Sequence, residues 1–524
     1  MQLGIRRAAA LALPRAQALG LPLPLVITFT VALAFVVRGR RALTLVDFPL
    51  NDGGMFYSTI EDIRHAAYAL PQTLSYNLAN IPFAYPPLGF YLSAIIRDAL
   101  GVSTSDVLRV LPIVFSTLIV VAYVPLARAL SRSPTAAAVA VFAAATQPSA
   151  YTWMVMGGGL TRSLGIVFAV AALVAVHHYY TLGGRRALFA GAVLGALTLL
   201  SHLEMAWFLA FSGAVFLIFY ARDRVRALIG SLAMAAIALA ITAPWWLLVL
   251  ARHGAGPFVA AATTGSLGNP IVDLIEFRRT DEPYFPLIAA VGLLGLVACV
   301  ARRRWDLPAW LLAIALLDQR SFNALSALPL GLLAGVAVTE VIVPLARDRR
   351  VLAGLGVAAV LYATFGALRA DQDLHRALTR DERAAMIWLG ENSAPEAKVI
   401  VVSDRFWAGD RVAEWLPALS GRRSVDTVQG TEWLPKARGF WGTLEGYDQA
   451  QKCASQTPGC LLGWANAFER FDYVYLPKSL GDLMSDGTPA YCCVPLRLSL
   501  RTDPAFKLVY DGPGATIYEM IGGG

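Results

Sequence analysis

Residues 20–57 read GLPLPLVITFTVALAFVVRGRRALTLVDFPLNDGGMFY. An apolar run at 20–37 has the length that crosses a bilayer, about 17–25 residues, and it ends at Arg38, Arg40 and Arg41. Asp47 and the run Asn51-Asp52-Gly53-Gly54 then pass directly into Met55-Phe56-Tyr57. A greasy segment followed at once by carboxylates describes a chain that enters a membrane and presents polar chemistry at its surface. Working outward, apolar runs recur at 109–127, 134–150, 160–177, 187–201, 205–220, 227–250, 285–301, 306–318, 322–346 and 351–368. These predict a polytopic α-helical membrane protein with about eleven spanning helices. Composition agrees, with 57% hydrophobic and 15% charged residues, against about 45–50% and 25% in ordinary globular chains. A soluble enzyme and a disordered chain are both excluded. The net charge of +8 would suggest nucleic acid in a soluble chain, but here its placement decides, and no nucleic-acid partner is expected.

If 86–100, which contains Arg97 and Asp98, lies on the membrane rather than across it, the short loops alternate. Arg6/Arg7/Arg15, Arg128/Arg132, Arg185/Arg186, Arg222/Arg224/Arg226, Arg302/Arg303/Arg304 and Arg347/Arg349/Arg350 then share one side. The positive-inside rule makes that side cytoplasmic, together with the N-terminus. The dissent is Arg38/Arg40/Arg41, so the first helix reads as an uncleaved signal anchor. Outside fall a long first loop at 38–108, the loops near 151–160, 202–204, 251–284 and 318–321, and everything after 368. The cytoplasmic loops carry no glycine-rich phosphate loop or dinucleotide fingerprint. His177-His178-Tyr179-Tyr180 reads as an interface band on the cytoplasmic side.

The expected division is a transmembrane body at 1–368 and an extracytoplasmic α/β domain at 369–524. Thr379-Arg380-Asp381-Glu382 has the form of a capping box opening a helix to about Glu391. Lys398–Ser403, Phe471–Leu476, Phe506–Tyr510 and Ala515–Met520 read as strands, the last two joined by Asp511-Gly512-Pro513-Gly514. Trp407, Trp415, Trp433, Trp441 and Trp464 pack a core or stack on a sugar or lipid headgroup. Cys453, Cys460, Cys492 and Cys493 predict two disulfides. Bonding 453/460 to 492/493 is sterically easier than joining the neighbours Cys492 and Cys493. Zinc is the alternative, and the spacing fits it poorly.

The outer loops hold the candidate chemistry. Pro86-Pro87 marks a helix start within Phe83-Ala84-Tyr85-Pro86-Pro87-Leu88-Gly89-Phe90-Tyr91, with Tyr85 suited to a membrane interface. Arg162 follows Gly157-Gly158-Gly159, which serve either a ligand's approach or a tight interhelical turn. Arg278 and Arg279 precede Asp281, Glu282 and the aromatic pair Tyr284-Phe285, in a substrate-contacting or merely solvated loop. Arg320 either meets substrate or pairs with Asp318. His202 and Glu204 lie between two apolar helices with almost no loop, where ionisable groups are costly and usually functional. They line an active site, form a structural pair, or bind a divalent cation with Asp52.

An aspartate in the first outer loop, an aromatic-Pro-Pro-Leu-Gly stretch, and Arg109-Val110-Leu111-Pro112 opening a helix resemble the GT-C membrane glycosyltransferases. The similarity is to protein O-mannosyltransferases and the aminoarabinose transferase, over about residues 20–210. The resemblance implies transfer of a sugar from a polyprenyl phosphate to an extracytoplasmic glycan or protein acceptor, with inversion. It aligns Asp52 with the family's acidic position as general base. Where that family often shows Asp-Glu, this chain has Asp52-Gly53-Gly54, which leaves Asp47 as a competitor.

Independently of any resemblance, inverting transfer from a glycosyl phosphate needs a carboxylate base and cations for the departing phosphate. Asp52, Asp47, Glu204 and His202 are the catalytic candidates. Tyr57, Tyr85, Arg162, Arg278, Arg279, Asp281, Glu282 and Arg320 are the binding candidates. No cofactor and no metal is expected, because no Asp-X-Asp pattern stands in the outer loops. Membrane lipid and a lipid-linked sugar are the expected partners. Two other classes share the composition. A secondary transporter would show paired halves, and no internal repeat is visible; an envelope scaffold with a glycan-binding tail would not need Asp52.

Overall fold

The apolar runs become helices where capping residues start them. Ser133 accepts the Ala136 N–H at 3.1 Å ahead of Pro134, and Asp223 accepts the Arg226 N–H at 3.0 Å; each satisfies a donor the helix itself leaves unpaired. The computed structural model describes residues 23–44, 48–264, 280–370, 378–435, 439–483 and 489–521. Asp47, Arg278 and Arg279 lie outside the described residues.

The helical body begins with α1 (Leu23–Thr44) and α2 (Gly53–His65), followed by the short strand pair β1 (Thr73–Leu74) and β2 (Ile81–Pro82). It continues through α3 (Leu88–Leu100), α4 (Thr104–Leu130), α5 (Pro134–Thr146), α6 (Gly159–Leu182), α7 (Arg185–Ser201) and α8 (Leu203–Tyr220). Then come α9 (Arg224–His253), α10 (Gly256–Ala262), α11 (Leu287–Ala301), α12 (Asp306–Leu317), α13 (Phe322–Leu345) and α14 (Arg349–Arg369). Every apolar run of the sequence falls on one of these helices. By length and composition α4, α6, α8, α9, α13 and α14 can cross a membrane, and α5, α11 and α12 are shorter apolar helices.

Packing selects which face of each helix is covered. On α9 the buried residues are Ala227, Gly230, Met234, Ala238, Thr242, Trp245 and Val249, a stripe at helical spacing. Leu228, Ile229, Leu232 and Leu239 stay exposed around it, as side chains facing lipid do. Gly331 and Gly335 on α13 lie against the Ala140 and Ala136 carbonyls of α5. A methyl at either would sit 2.7 or 2.4 Å from those oxygens, so small residues set the approach of the two helices.

The first helix runs past Arg38, Arg40 and Arg41 to Thr44, so these arginines stand in the helix rather than in the loop after it. Arg38 is a buried structural group rather than a loop charge. It donates to Ser116 Oγ at 3.0 Å and to the Ala145 carbonyl at 2.9 Å, beneath the Tyr151 ring at 4.9 Å.

The tail is α/β. Thr379 and Glu382 form the expected capping box of α15 (Arg380–Asn392). The tail continues with β3 (Lys398–Val401), α16 (Arg411–Ser420), β4 (Arg423–Ser424), α17 (Phe440–Gln451), α18 (Pro458–Ala467) and β5 (Tyr473–Pro477). A side pair β6 (Ser479–Leu483) and β7 (Pro489–Tyr491), then α19 (Val494–Leu500), β8 (Phe506–Asp511) and β9 (Ala515–Met520), complete it. The main sheet has the order β4-β3-β5-β9-β8, parallel across β4-β3-β5 and antiparallel beyond. Both faces are covered, as parallel strands require. Val399 and Val401 pack with Trp415 and Leu416 on one face, and Ile400 and Val402 with Trp464 and Leu496 on the other.

The sequence left the connectivity open, and the disulfides are local rather than the sterically easier cross-pairing. Cys453 bonds Cys460 at a Cα separation of 5.6 Å, and Cys492 bonds its neighbour Cys493. The turn between α17 and α18 folds the first pair together. Cys493, in the left-handed region at φ 56°, lets the chain double back at the second.

Candidate active site

The site is built on the turn that precedes α2. Asn51 and Asp52 both take left-handed backbone conformations, φ 59° and 65°, which Asn and Asp tolerate better than most residues. The chain therefore reverses sharply, and Asp52 stands at the N-cap position of α2 without capping it through its side chain. Glu414 of α16 takes that role. Its Oε2 accepts the Asn51 N–H at 2.9 Å and its Oε1 the Gly54 N–H at 3.3 Å. Trp415 donates to the Pro49 carbonyl at 3.0 Å, and the Tyr76 hydroxyl donates to the Glu414 carbonyl at 2.6 Å.

The three glycines before α6 serve backbone contact with this turn. Gly157 donates to the Leu50 carbonyl at 2.8 Å and Gly158 to that of Asn51 at 2.5 Å. A side chain at Gly157 would strike the Gly53 Cα at 2.5 Å, and one at Gly158 would come 3.0 Å from an Asp52 carboxylate oxygen. One turn later Arg162 is 8% exposed and donates to the Trp153 carbonyl at 3.3 Å. Among the described residues it has no carboxylate within ion-pairing distance.

Two further segments close on Asp52. His202, in extended conformation, breaks α7 from α8, and Glu204 in the first turn of α8 accepts the Ser321 hydroxyl at 2.8 Å. The linker 318–321 carries Arg320. Ser321 donates its N–H to Asp318 at 3.1 Å, and an Asp318–Arg320 ion pair, one of the two readings of that arginine, is not among those of the described residues. Arg320 remains solvent-accessible, and its charge interacts with Glu204, Asp52 and Glu432. Glu432 sits in the single-turn segment Thr431–Trp433 of the tail. Beside it the Trp433 ring lies 5.3 Å from that of Tyr85, whose hydroxyl shares a 3.2 Å hydrogen bond with Thr161 Oγ1. The Tyr85 ring also meets His202 at 6.1 Å.

Burial raises the pKa of Asp52 above the usual carboxylate range, while the Arg162 and Arg320 charges act to lower it. Glu432 is pushed up to about 7, chiefly by burial and next by the Asp52 charge. Glu414 is raised well above its ordinary value, again by burial first and Asp52 second. Asp52 therefore interacts with two cations that favour its charge and with two carboxyl groups that burial disposes to keep a proton.

The remaining candidates lie elsewhere. Tyr57 packs on Trp415 at 5.7 Å, and the charges acting on its hydroxyl are those of Glu61, Arg97 and Arg64. Glu282 caps α11, accepting the Ile288 N–H at 3.0 Å and the Ala289 N–H at 3.4 Å. Asp281 is exposed on the turn before it. Sequence reasoning missed Glu414, Glu432 and Tyr76. Its signal for the tail's involvement was the tryptophans, since Trp415 and Trp433 directly follow the two glutamates. Among the described residues no three of His, Cys, Asp and Glu gather as a metal set.

Comparison with protein-family models and with curated proteins returns no match. Solved structures do match. The oligosaccharyltransferase AglB from Archaeoglobus fulgidus, complexed with an inhibitory peptide and a dolichol-phosphate, superposes with TM-score 0.55 at 14% identity, over 90% of this chain and 74% of that one. The aminoarabinose transferase ArnT from Cupriavidus metallidurans gives 0.55 at 14%, over 94% and 97%. The arabinofuranosyltransferase AftD from Mycobacteria gives 0.55 at 16%, over 94% of this chain and 40% of that one. The chain has the GT-C fold. On this GT-C scaffold Asp52, Arg162, Glu204, Arg320 and the tail share one end of the helical body. The opposite end is tied by Tyr220 to Asp306 at 2.9 Å and by Arg304 to Glu340 at 2.7 Å.

Proposed function

We propose that this chain is an integral membrane glycosyltransferase that moves a sugar from a polyprenyl-phosphate donor to an acceptor outside the cytoplasm. The observation that carries the reading is Asp52, a half-buried carboxylate on the first loop, acted on by Arg162 and Arg320, neither of which has an ion-pair partner among the described residues. The dolichol-phosphate held by AglB supports a lipid phosphate as donor. Alternation of the arginine clusters supports an outward-facing site, with the N-terminus in the cytoplasm.

Asp52 takes the proton of the acceptor hydroxyl. The freed oxygen attacks the anomeric carbon as the bond from that carbon to the phosphate oxygen breaks, which inverts the centre. Polyprenyl phosphate departs with the electron pair, and Arg162 and Arg320 bind its oxygens, a match of guanidinium fork to phosphate. Glu432 hydrogen-bonds a second acceptor hydroxyl, and Tyr85 with Trp433 forms an aromatic floor for a sugar ring.

Asp52→Asn in purified full-length protein should lower transfer by about a hundredfold or more while lipid-phosphate binding stays intact. Undiminished turnover would remove Asp52 from the mechanism. Glu432→Gln should raise the acceptor KM with little change in donor affinity, and an unchanged acceptor KM would remove Glu432 from acceptor binding. A transporter would instead carry substrate into sealed vesicles without releasing polyprenyl phosphate.

A further inference from the structure

Aspartate is among the best N-cap residues, because its carboxylate satisfies the free N–H groups of a first helical turn. At the start of α2 the aspartate in that position does not do so. Asp52 contributes only its backbone carbonyl, which accepts the Phe56 N–H at 2.8 Å. The donors around it point instead to a side chain more than 360 residues away in sequence, with Asn51 and Gly54 donating to the two oxygens of Glu414. The carboxyl group is fully buried, and its helix is anchored to the first loop by Tyr76 and Trp415.

The glycine pair has its reason here. A Cβ at Gly54 would lie 2.4 Å from the Glu414 carbonyl oxygen, and one at Gly53 would lie 3.2 Å from its Oε1. Gly53-Gly54, the point at which this chain departs from the Asp-Glu pattern, makes room for the tail's helix against the first loop.

We infer that Glu414 is the positioning residue of Asp52: by capping α2 from the tail, it releases the aspartate side chain from that duty and leaves it available to substrate. The inference rests on the reading of Asp52 as the base. An aspartate that capped its own helix would spend its lone pairs on backbone N–H groups and be a weaker acceptor for a substrate proton. The electrostatics agree in direction, because burial first and the Asp52 charge second favour a proton on Glu414. The groups acting on Asp52 are Arg162 of α6, Arg320 of the 318–321 linker, Glu414 of α16, Glu432 of the 431–433 turn, and Tyr76 and Tyr85 of the first loop.

The test is a double-mutant cycle in the full-length protein, reading transfer and polyprenyl-phosphate binding together. Glu414→Ala should lower kcat by about tenfold or more while the donor Kd stays within about threefold. Glu414→Gln, which keeps an oxygen for the Asn51 N–H, should recover most of the loss. In an Asp52→Asn background, Glu414→Ala should change the residual rate by less than about twofold, since its effect acts through the aspartate. If the alanine variant fails to fold, Glu414→Asp, one methylene short of Asn51 and Gly54, takes its place in the cycle. A wild-type rate for the Glu414 variants beside an inactive Asp52→Asn overturns this inference alone, as does an equal loss in both backgrounds or a Gln variant as damaged as Ala. A wild-type rate for Asp52→Asn by itself overturns the base assignment beneath it.

Discussion

At Asp52 burial opposes ionisation and two arginines favour it, so its pKa is a balance that single substitutions can tip. Burial dominates, and the acid limb of kcat/KM should lie above the ordinary aspartate range near pH 4. A base must be deprotonated to act, so activity is present above that limb and falls as pH drops through it. Arg320→Gln removes a charge that favours the ionised form and should move the limb to higher pH. A profile measured on the variant that keeps its acid limb in place would show that Arg320 does not act on the base. At this scale Asp52 was legible from its place after the first apolar run and before an aromatic stretch. Arg38 was not, because a charge near a helix end reads as a loop residue until Ser116 and Ala145 are seen around it.

The contact between α2 and α16 is made by backbone atoms as much as by side chains. Gly54→Ala places a methyl 2.4 Å from the Glu414 carbonyl, so the two helices must part. The cost should be about 1–3 kcal/mol, seen as a lower melting temperature in detergent, and turnover should fall with it because the cap on α2 is disturbed. Gly213→Ala in α8 is the control, since nothing lies within 4 Å of its added methyl. It should be neutral or stabilise by up to about 1 kcal/mol. Equal melting temperatures for the two variants would show that the helices are not in close contact at Gly54. Helices and strands of this protein were largely readable, because each is set by local chemistry such as the Thr379–Glu382 capping box or the β-branched run of β3. The segment Thr431–Trp433 was not, since a single turn has no periodicity to read.

In the whole molecule the tail is part of the site rather than an appendage, supplying Glu414 from α16, which covers one sheet face, and Glu432 and Trp433 from the 431–433 turn, where Trp433 packs with Phe56 and Phe83 of the first loop. The Cys453–Cys460 bond belongs to the other face, with Trp464 and Leu496. Reducing it should loosen the α17–α18 turn and lower tail stability by about 2–3 kcal/mol, while initial turnover at low temperature stays within about twofold. An immediate loss of activity on reduction, with the tail still folded by hydrogen exchange, would show that the two sheet faces are coupled through the site.

The sequence by itself determined the membrane body, the α/β tail, and the presence of an aspartate, a histidine–glutamate pair and arginines at loops of one sidedness. All of these depend on composition or on neighbours a few residues apart. Only the tertiary structure decided which of them meet. The bond from Asn51 to Glu414 spans 363 residues, and no local pattern encodes a partner so distant. It also placed Tyr57 and Glu282 in other duties, and it joined cysteines 492 and 493 as neighbours because the backbone doubles back between β7 and α19. Packing, which acts between surfaces rather than along the chain, made those choices.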